Sequence, residues 1–300
     1  MTAVQLALKI DVDTLRGTLE GVPALMNALQ ATAADASFLF SLGPDNTGRA
    51  LRRVFRPGFF GKVARTSVLE HYGLRTLLYG TLLPAPDIGR RAGPVMRGVR
   101  DAGYEVGIHC FDHTTWQDFV SRRDAAWTRR QMLLAIERFR EIFGAEPTVH
   151  GAAGWQMNEA ALEFEQEFGF RYASDTRGAA PFVPLLEGVR SRCPQLPTTL
   201  PTLDELIGLD GIGPEEVHEA LLERTREPRP YQVFTLHAEL EGMKLLPVLQ
   251  RLLRGWQAQG YELVSMRTML AGLDVAQLPA VAIRDGTVPG RSGLLAVPAW

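Results

Sequence analysis

Apolar and polar positions alternate in blocks along this 300-residue chain. Val4 to Ile10 is largely apolar and stops at Asp11-Val12-Asp13-Thr14, the pattern of a buried strand that delivers polar side chains at its C-terminal end. Leu19, Val22, Leu25, Met26 and Leu29 then recur at the spacing of one helical face, before a second strand-like run from Ala36 to Leu42. Further strands are predicted at Tyr104 to Cys110, Pro147 to Ala153, Phe170 to Asp175, Tyr231 to His237 and Tyr261 to Met266. Helical patterns lie between or after them, at Ile88 to Ala102, Asp124 to Phe143, Gln156 to Phe168, Pro214 to Arg226 and Met243 to Gln259. Such alternation implies an α/β fold, a parallel sheet covered by helices. No Gly-rich dinucleotide fingerprint follows the first strand, so a distorted (β/α) barrel is expected over a doubly wound sheet. Residues 1–277 are assigned to the barrel, with an insertion at 44–84 after the second strand. Residues 278–300 read as an extension without a fold of its own.

A barrel places active residues where strands end and the following loops begin. Asp11, Asp13, His109, His113, Asp175 and His237 all fall there. Asp11 and Asp13, two apart on a strand end, project to one side and could serve one metal and one proton; equally, Asp13 could cap a helix and Asp11 be a solvated strand end. His109 and His113 form H-x-x-x-H, a spacing that on a helical turn brings two imidazoles together around a divalent ion. Cys110 stands where a zinc protease of that spacing needs Glu, which excludes the protease reading. His237 ends an apolar strand and could act as an acid or base near neutral pH, or serve the structure alone. Asp175 could orient such a histidine, or be a loop residue.

Composition narrows the setting. With 46% hydrophobic and 22% charged residues the chain has material for a large core, and a net charge of −2 excludes nucleic-acid binding by bulk charge. Cys110 and Cys193 are too few for a disulfide framework and suit a reducing compartment. No apolar run approaches the ~20 residues of a membrane span, and the N-terminus does not read as a signal peptide, so a cytoplasmic location is expected.

Charge is unevenly spread, however. Between Arg49 and Leu83 stand Arg49, Arg52, Arg53, Arg56, Lys62, Arg65 and Arg75 against Glu70 alone, giving this stretch +6 and leaving −8 for the rest. Phe55, Phe59, Phe60, Tyr72 and Tyr79 are interleaved with them. That composition suits a surface lying in a membrane interface, with Arg52, Arg53, Arg56 and Lys62 on anionic lipids and Phe59 and Phe60 inserted. An ordinary solvated helix pair or a local RNA-binding patch is the alternative.

In chain order, D-x-D, H-x-x-x-H, a Gly-Trp loop, a strand-end Asp and L-H resemble the motif series of the polysaccharide deacetylase superfamily (NodB-like, carbohydrate esterase family 4). Within it the chain is most similar to deformylases of a formamido sugar carried on undecaprenyl phosphate. Lys9-Ile-Asp-Val-Asp-Thr14, Arg16-Gly17 with Glu20-Gly-Val-Pro23, Ser41-Leu-Gly-Pro-Asp-Asn46, Ala152-Ala-Gly-Trp155, His237-Ala-Glu239 and Val288-Pro-Gly-Arg291 carry that likeness across nearly the whole chain.

The resemblance implies Asp11 as catalytic base, Asp13, His109 and His113 as metal ligands, His237 as catalytic acid and Asp175 as its supporting carboxylate. Trp155 and Glu239 are candidate substrate contacts, Glu239 alternatively a partner that supports the metal site. The resemblance also implies an undecaprenyl-phosphate-linked aminosugar, at the cytoplasmic face of a bacterial inner membrane, as substrate in lipid A modification and polymyxin resistance. Two imidazoles and a carboxylate accept Zn, Mn, Co or Ni. The family's Arg-Pro-Pro-Tyr loop is here His150-Gly-Ala-Ala-Gly-Trp155, so the Arg that pairs with the base is missing and His150 is the candidate in its place. A deacetylase of another N-acylated sugar, or a silent sugar-lipid binder, are the competing functions.

Overall fold

A computed structural model describes residues 4–50 and 73–300. Strands β1 (Val4–Val12), β2 (Ser37–Ser41), β3 (Glu105–Cys110), β4 (Val149–His150), β5 (Tyr172–Ala173), β6 (Val183–Leu186), β7 (Val189–Arg190), β8 (Gln232–His237) and β9 (Tyr261–Val264) fall close to the apolar runs, except the β6–β7 hairpin, which the pattern did not predict. Among the described residues the main sheet runs β5-β4-β3-β2-β1-β8, and β9 pairs with the beginning of β1; every ladder in it is parallel.

The sheet curls into a barrel whose wall is irregular between β5 and β8. There the segment 193–200 crosses the gap by isolated bridges, with hydrogen bonds that include Leu196 N to Ala173 O, Thr198 N to Thr176 O and Thr199 N to Val233 O. Pro194 and Pro197 have no N–H to give, so this stretch cannot form a continuous ladder. β5, beside it, and β4, between β3 and β5, are two-residue strands where six or seven residues were predicted.

The period of two in β1 sorts its side chains. Leu6, Leu8, Ile10 and Val12 face outward into the main core under the helices. On the other face, Ala7 joins Leu39, Val149, Tyr172, Leu196 and Val233 in a separate apolar layer inside the barrel. Lys9 and Asp11 follow on that same inner face, so the interior changes from apolar to charged toward the C-terminal ends of the strands. Helices cover the outside. Asp87, Asp124 and Asn158 cap those at Ile88–Asp101, Ala125–Phe143 and Glu159–Glu167, each accepting a backbone N–H of the first turn.

The tail has more structure than its sequence suggests. β10 (Ala280–Val281) pairs with β6, while β11 (Ile283–Gly286) and β12 (Leu295–Pro298) form an antiparallel hairpin. Of the insertion, the flanks are described. Gly48 N donates to Tyr79 O and Arg49 Nε to Gly80 O, so the chain leaves and returns at one place. The short helix Leu74–Leu78 lies on the returning side. Arg52, Arg53, Arg56, Phe59, Phe60 and Lys62 lie outside the described residues.

Candidate active site

β1 ends in Asp11-Val12-Asp13, and Glu239 fixes the turn that follows. Its Oε1 accepts from Asp13 N (3.0 Å), Thr14 N (2.8 Å) and Thr14 Oγ1 (2.8 Å). Glu239 therefore holds the backbone that carries Asp13, as a partner supporting the metal site would. Burial, then the nearby Asp13 charge, raise its pKa to about 8. Asp45 braces the same turn by accepting from Leu15 N.

His109 is on β3 and His113 is the first residue of the helix His113–Phe119. The two are not on one helical turn, as their spacing suggested; a strand-to-helix junction capped by Asp112 brings their rings to 5.3 Å. His109 Nε2 is 3.3 Å from Asp13 Oδ1, and His113 Nε2 is 3.4 Å from Asp13 Oδ2. All three ligand atoms lie within 4.8 Å of one another. The Gly151 carbonyl, 2.5 Å from His109 Nδ1, accepts a hydrogen bond from the Nδ1–H tautomer and so leaves Nε2 free to ligate. Asp13 Oδ1 is buried with no hydrogen-bond partner among the described residues. An orphaned carboxylate oxygen between two imidazoles fits a divalent ion, and the Asp-His-His set fits several first-row metals.

Asp11 lies beside this cluster, and its strand partner in β8 is His237. Its cation is neither an arginine nor His150. Lys9, fully buried, puts Nζ 3.2 Å from Asp11 Oδ2 and donates to Ser174 O at 3.0 Å. Gly151 makes room for it, since a Cβ there would come within 3.1 Å of Lys9 Cε and 2.4 Å of Leu39 Cδ1. Sequence reasoning passed over Lys9, although the signal was there: a charge inside an apolar strand, two residues from Asp11 and so on its face.

The pairing expected of Asp175 is also different. It is not the partner of His237; it accepts from Ala152 N (2.6 Å) and Gln195 Nε2 (2.6 Å) and lies 3.1 Å from His150 Nδ1. His150 in turn meets Glu165 at 2.8 Å. This buried trio anchors the Gly151-Ala152 loop, and so acts on the site through the carbonyl that orients His109. Burial disfavours charge on His237, but Asp13, Asp204, Glu241 and Asp11 outweigh it and raise its pKa. Asp204 and Glu241 are acidic neighbours that sequence reasoning missed; the segment between the irregular wall and β8 gave no motif to mark Asp204, and Glu241, four residues past His237, accepts from His237 N.

The trio makes a pH prediction. Burial opposes the imidazolium of His150, but Asp175 and Glu165 overcome it and lift the pKa to about 10, above the usual 6.5. Its stabilisation is thus complete below about pH 6.5 and lost as pH rises through about 10. Burial alone would raise Asp175; His150 and Gln195 among others bring it down to about 2, so its contribution holds above about pH 4 and fades as pH falls through about 2. Unfolding by denaturant should show stability falling between pH 6.5 and 10, and His150→Gln should reduce that slope. An unchanged slope would contradict a charged His150.

Curled parallel sheet, helical cover and an Asp-His-His cluster at the strand ends place the chain in the NodB-type deacetylase fold, which two solved structures share. One is a Mycobacterium smegmatis protein assigned to the polysaccharide deacetylases (TM-score 0.62, 16% identity, 96% of each chain). The other is a probable polysaccharide deacetylase of Pseudomonas aeruginosa (TM-score 0.58, 15% identity, 89% of this chain and 90% of the other). No protein-family model matches the chain. A Shewanella sediminis protein named probable 4-deoxy-4-formamido-L-arabinose-phosphoundecaprenol deformylase ArnD is 36% identical over 97% of this chain and 93% of its own. A Wigglesworthia glossinidia brevipalpis protein of the same name is 29% identical over 93% of this chain and 97% of its own. The chain belongs to this deformylase family.

Proposed function

We propose that the chain hydrolyses the N-formyl group of 4-deoxy-4-formamido-L-arabinose phosphoundecaprenol, a step in lipid A modification and polymyxin resistance, with a divalent metal as cofactor. The observation that carries this reading is the convergence of Asp13, His109 and His113 beside Asp11 and His237, in a chain of this family. An ion bound by the three ligands would polarise the formyl carbonyl and acidify water. Lys9 holds Asp11 by Oδ2, leaving Oδ1 without a partner among the described residues and turned toward His109 at 3.7 Å. Asp11 takes the proton from water as the new C–O bond forms. His237 gives a proton to the sugar nitrogen as the C–N bond breaks, so that formate and a free amine leave. His109→Ala and His113→Ala should each lower metal content and rate together, whereas the double variant at full metal occupancy would refute the ligand set.

Membrane attachment belongs to the same reading. Among the described residues no helix is long and apolar enough to cross a membrane. The +6 segment is sequence support for peripheral binding to anionic lipid, and Leu74 and Leu82 on its described flanks are well exposed. Gly80 packs against Asn46, whose Nδ2 donates to Asp112 Oδ2, so the base of the insertion adjoins the cap of the His113 helix. Replacing Arg52, Arg53 and Arg56 by Glu should release the protein from anionic vesicles while leaving bound metal unchanged. Unaltered vesicle binding would return the segment to a solvated insertion.

A further inference from the structure

Trp155 has a left-handed backbone (φ 54°), costly for a bulky residue, and three cations surround its buried ring. Lys9 Nζ lies 5.5 Å from the ring centre, Arg177 Cζ 5.0 Å and Arg291 Cζ 4.4 Å. The indole N–H donates to Thr198 Oγ1. Lys9 belongs to Asp11, which leaves two guanidinium groups with one carboxylate between them, Glu205.

The two arginines are not equivalent. Arg177 is buried and fully used: it pairs with Glu205 Oε1 and donates to Thr198 O and Leu200 O. Arg291 comes from the tail, and its nearest contact to Glu205 Oε1 is 3.6 Å, an ion pair without a hydrogen bond. Its donors meet no acceptor within hydrogen-bond distance among the described residues, and its side chain is 14% exposed. The loop that carries it is tightly seated. Gly290 (φ 78°) lies so close to the Glu205 carbonyl that a Cβ would come within 2.1 Å of the oxygen. Arg291 is thus a fixed, half-buried cation with its fork unfilled, one positive charge in excess, on the ring that also touches the cation of Asp11. On its other side Glu205 adjoins Asp204, whose charge acts on His237.

We propose that Arg291, backed by Arg177 and stacked on Trp155, is the subsite for the phosphodiester of the substrate. The guanidinium fork matches two oxygens of a phosphodiester monoanion, and the shared Glu205 keeps Arg177 neutralised so that Arg291 carries the attraction. This rests on the deformylase reading, which supplies a phosphodiester next to the sugar. The tail then does more than wrap the barrel: it contributes the residue that recognises where the sugar joins its carrier.

The test uses the metal-loaded full chain and three ligands: a short-chain polyprenyl phosphodiester of the formamido sugar, a neutral alkyl glycoside of that sugar, and dibutyl phosphate. Arg291→Met keeps the alkyl stem over the indole. It should raise KM for the phosphodiester about ten- to a hundred-fold with kcat nearly unchanged, and leave the neutral glycoside unaffected. Arg291→Lys should restore part of the loss. Calorimetry, which needs no turnover, should show dibutyl phosphate binding weakened by Arg291→Met to a similar degree. Equal losses on both sugars, or equal affinity of both proteins for dibutyl phosphate, would overturn the proposal and reduce Arg291 to a clasp for the tail. Wild-type protein that binds dibutyl phosphate through Arg291 yet releases formate from neither sugar would overturn the deformylase reading alone.

Discussion

Asp11→Asn is expected to lower formamide hydrolysis by about 10² to 10⁴ while metal content stays near that of the unaltered protein. The substitution preserves shape and leaves an oxygen for Lys9, but an amide cannot accept the proton that leaves water. Asp13, one ligand of the proposed ion, is on the same face two residues on, which makes metal content the control that separates the two carboxylates. Metal lost in parallel with activity would move Asp11 from base to ligand. Activity within a few-fold of normal would remove it from the chemistry.

Lys9→Met should be nearly as damaging by another route. Lys9 and Asp11 are a buried pair, and deleting one partner of such a pair commonly costs about 3 to 5 kcal/mol because the other charge is left unpaired. The double variant Lys9→Met with Asp11→Asn removes both charges and should therefore be more stable than Lys9→Met alone, although inactive. Lys9→Arg, keeping a cation at that position, should recover part of kcat without changing metal content. Thermal melting and formate release measured on the four proteins check this. If Lys9→Met were as stable and active as the parent, the pair would have no part in holding the base.

The sequence made the long, strongly patterned elements legible, and the site only in part. Helices such as Ala125–Phe143 and Leu246–Ala258 bury one face against the sheet, and their apolar spacing predicted them to within a few residues. β5 shrank beside a neighbour across the barrel wall that is rich in proline, a long-range effect that local apolarity does not report. Asp11, Asp13, His109, His113 and His237 were found as strand-end polar residues, and the fold brings them together. The side chains that hold these residues were misread. His150 was expected to replace an arginine at Asp11, but its ring turns to Glu165 and Asp175, 15 and 25 positions away in sequence, while Lys9 fills that place from inside the strand. Which cation meets which carboxylate depends on how loops fold over the barrel mouth, and single-chain periodicity carries none of that. Arg291 shows the same limit: its tail reads as an appendage, yet the β11–β12 hairpin and Gly290 lay it over Trp155.

The central claim is metal-dependent removal of formate, and product analysis tests it most directly. Protein stripped of metal and reloaded with one equivalent of Mn, Co or Zn would be incubated with the formamido sugar phosphoundecaprenol and, separately, with its N-acetyl analogue. The account predicts one formate for each new amine from the first, little acetate from the second, and neither product before reloading. Acetate released faster than formate, or formate released at full rate by the stripped protein, would contradict it.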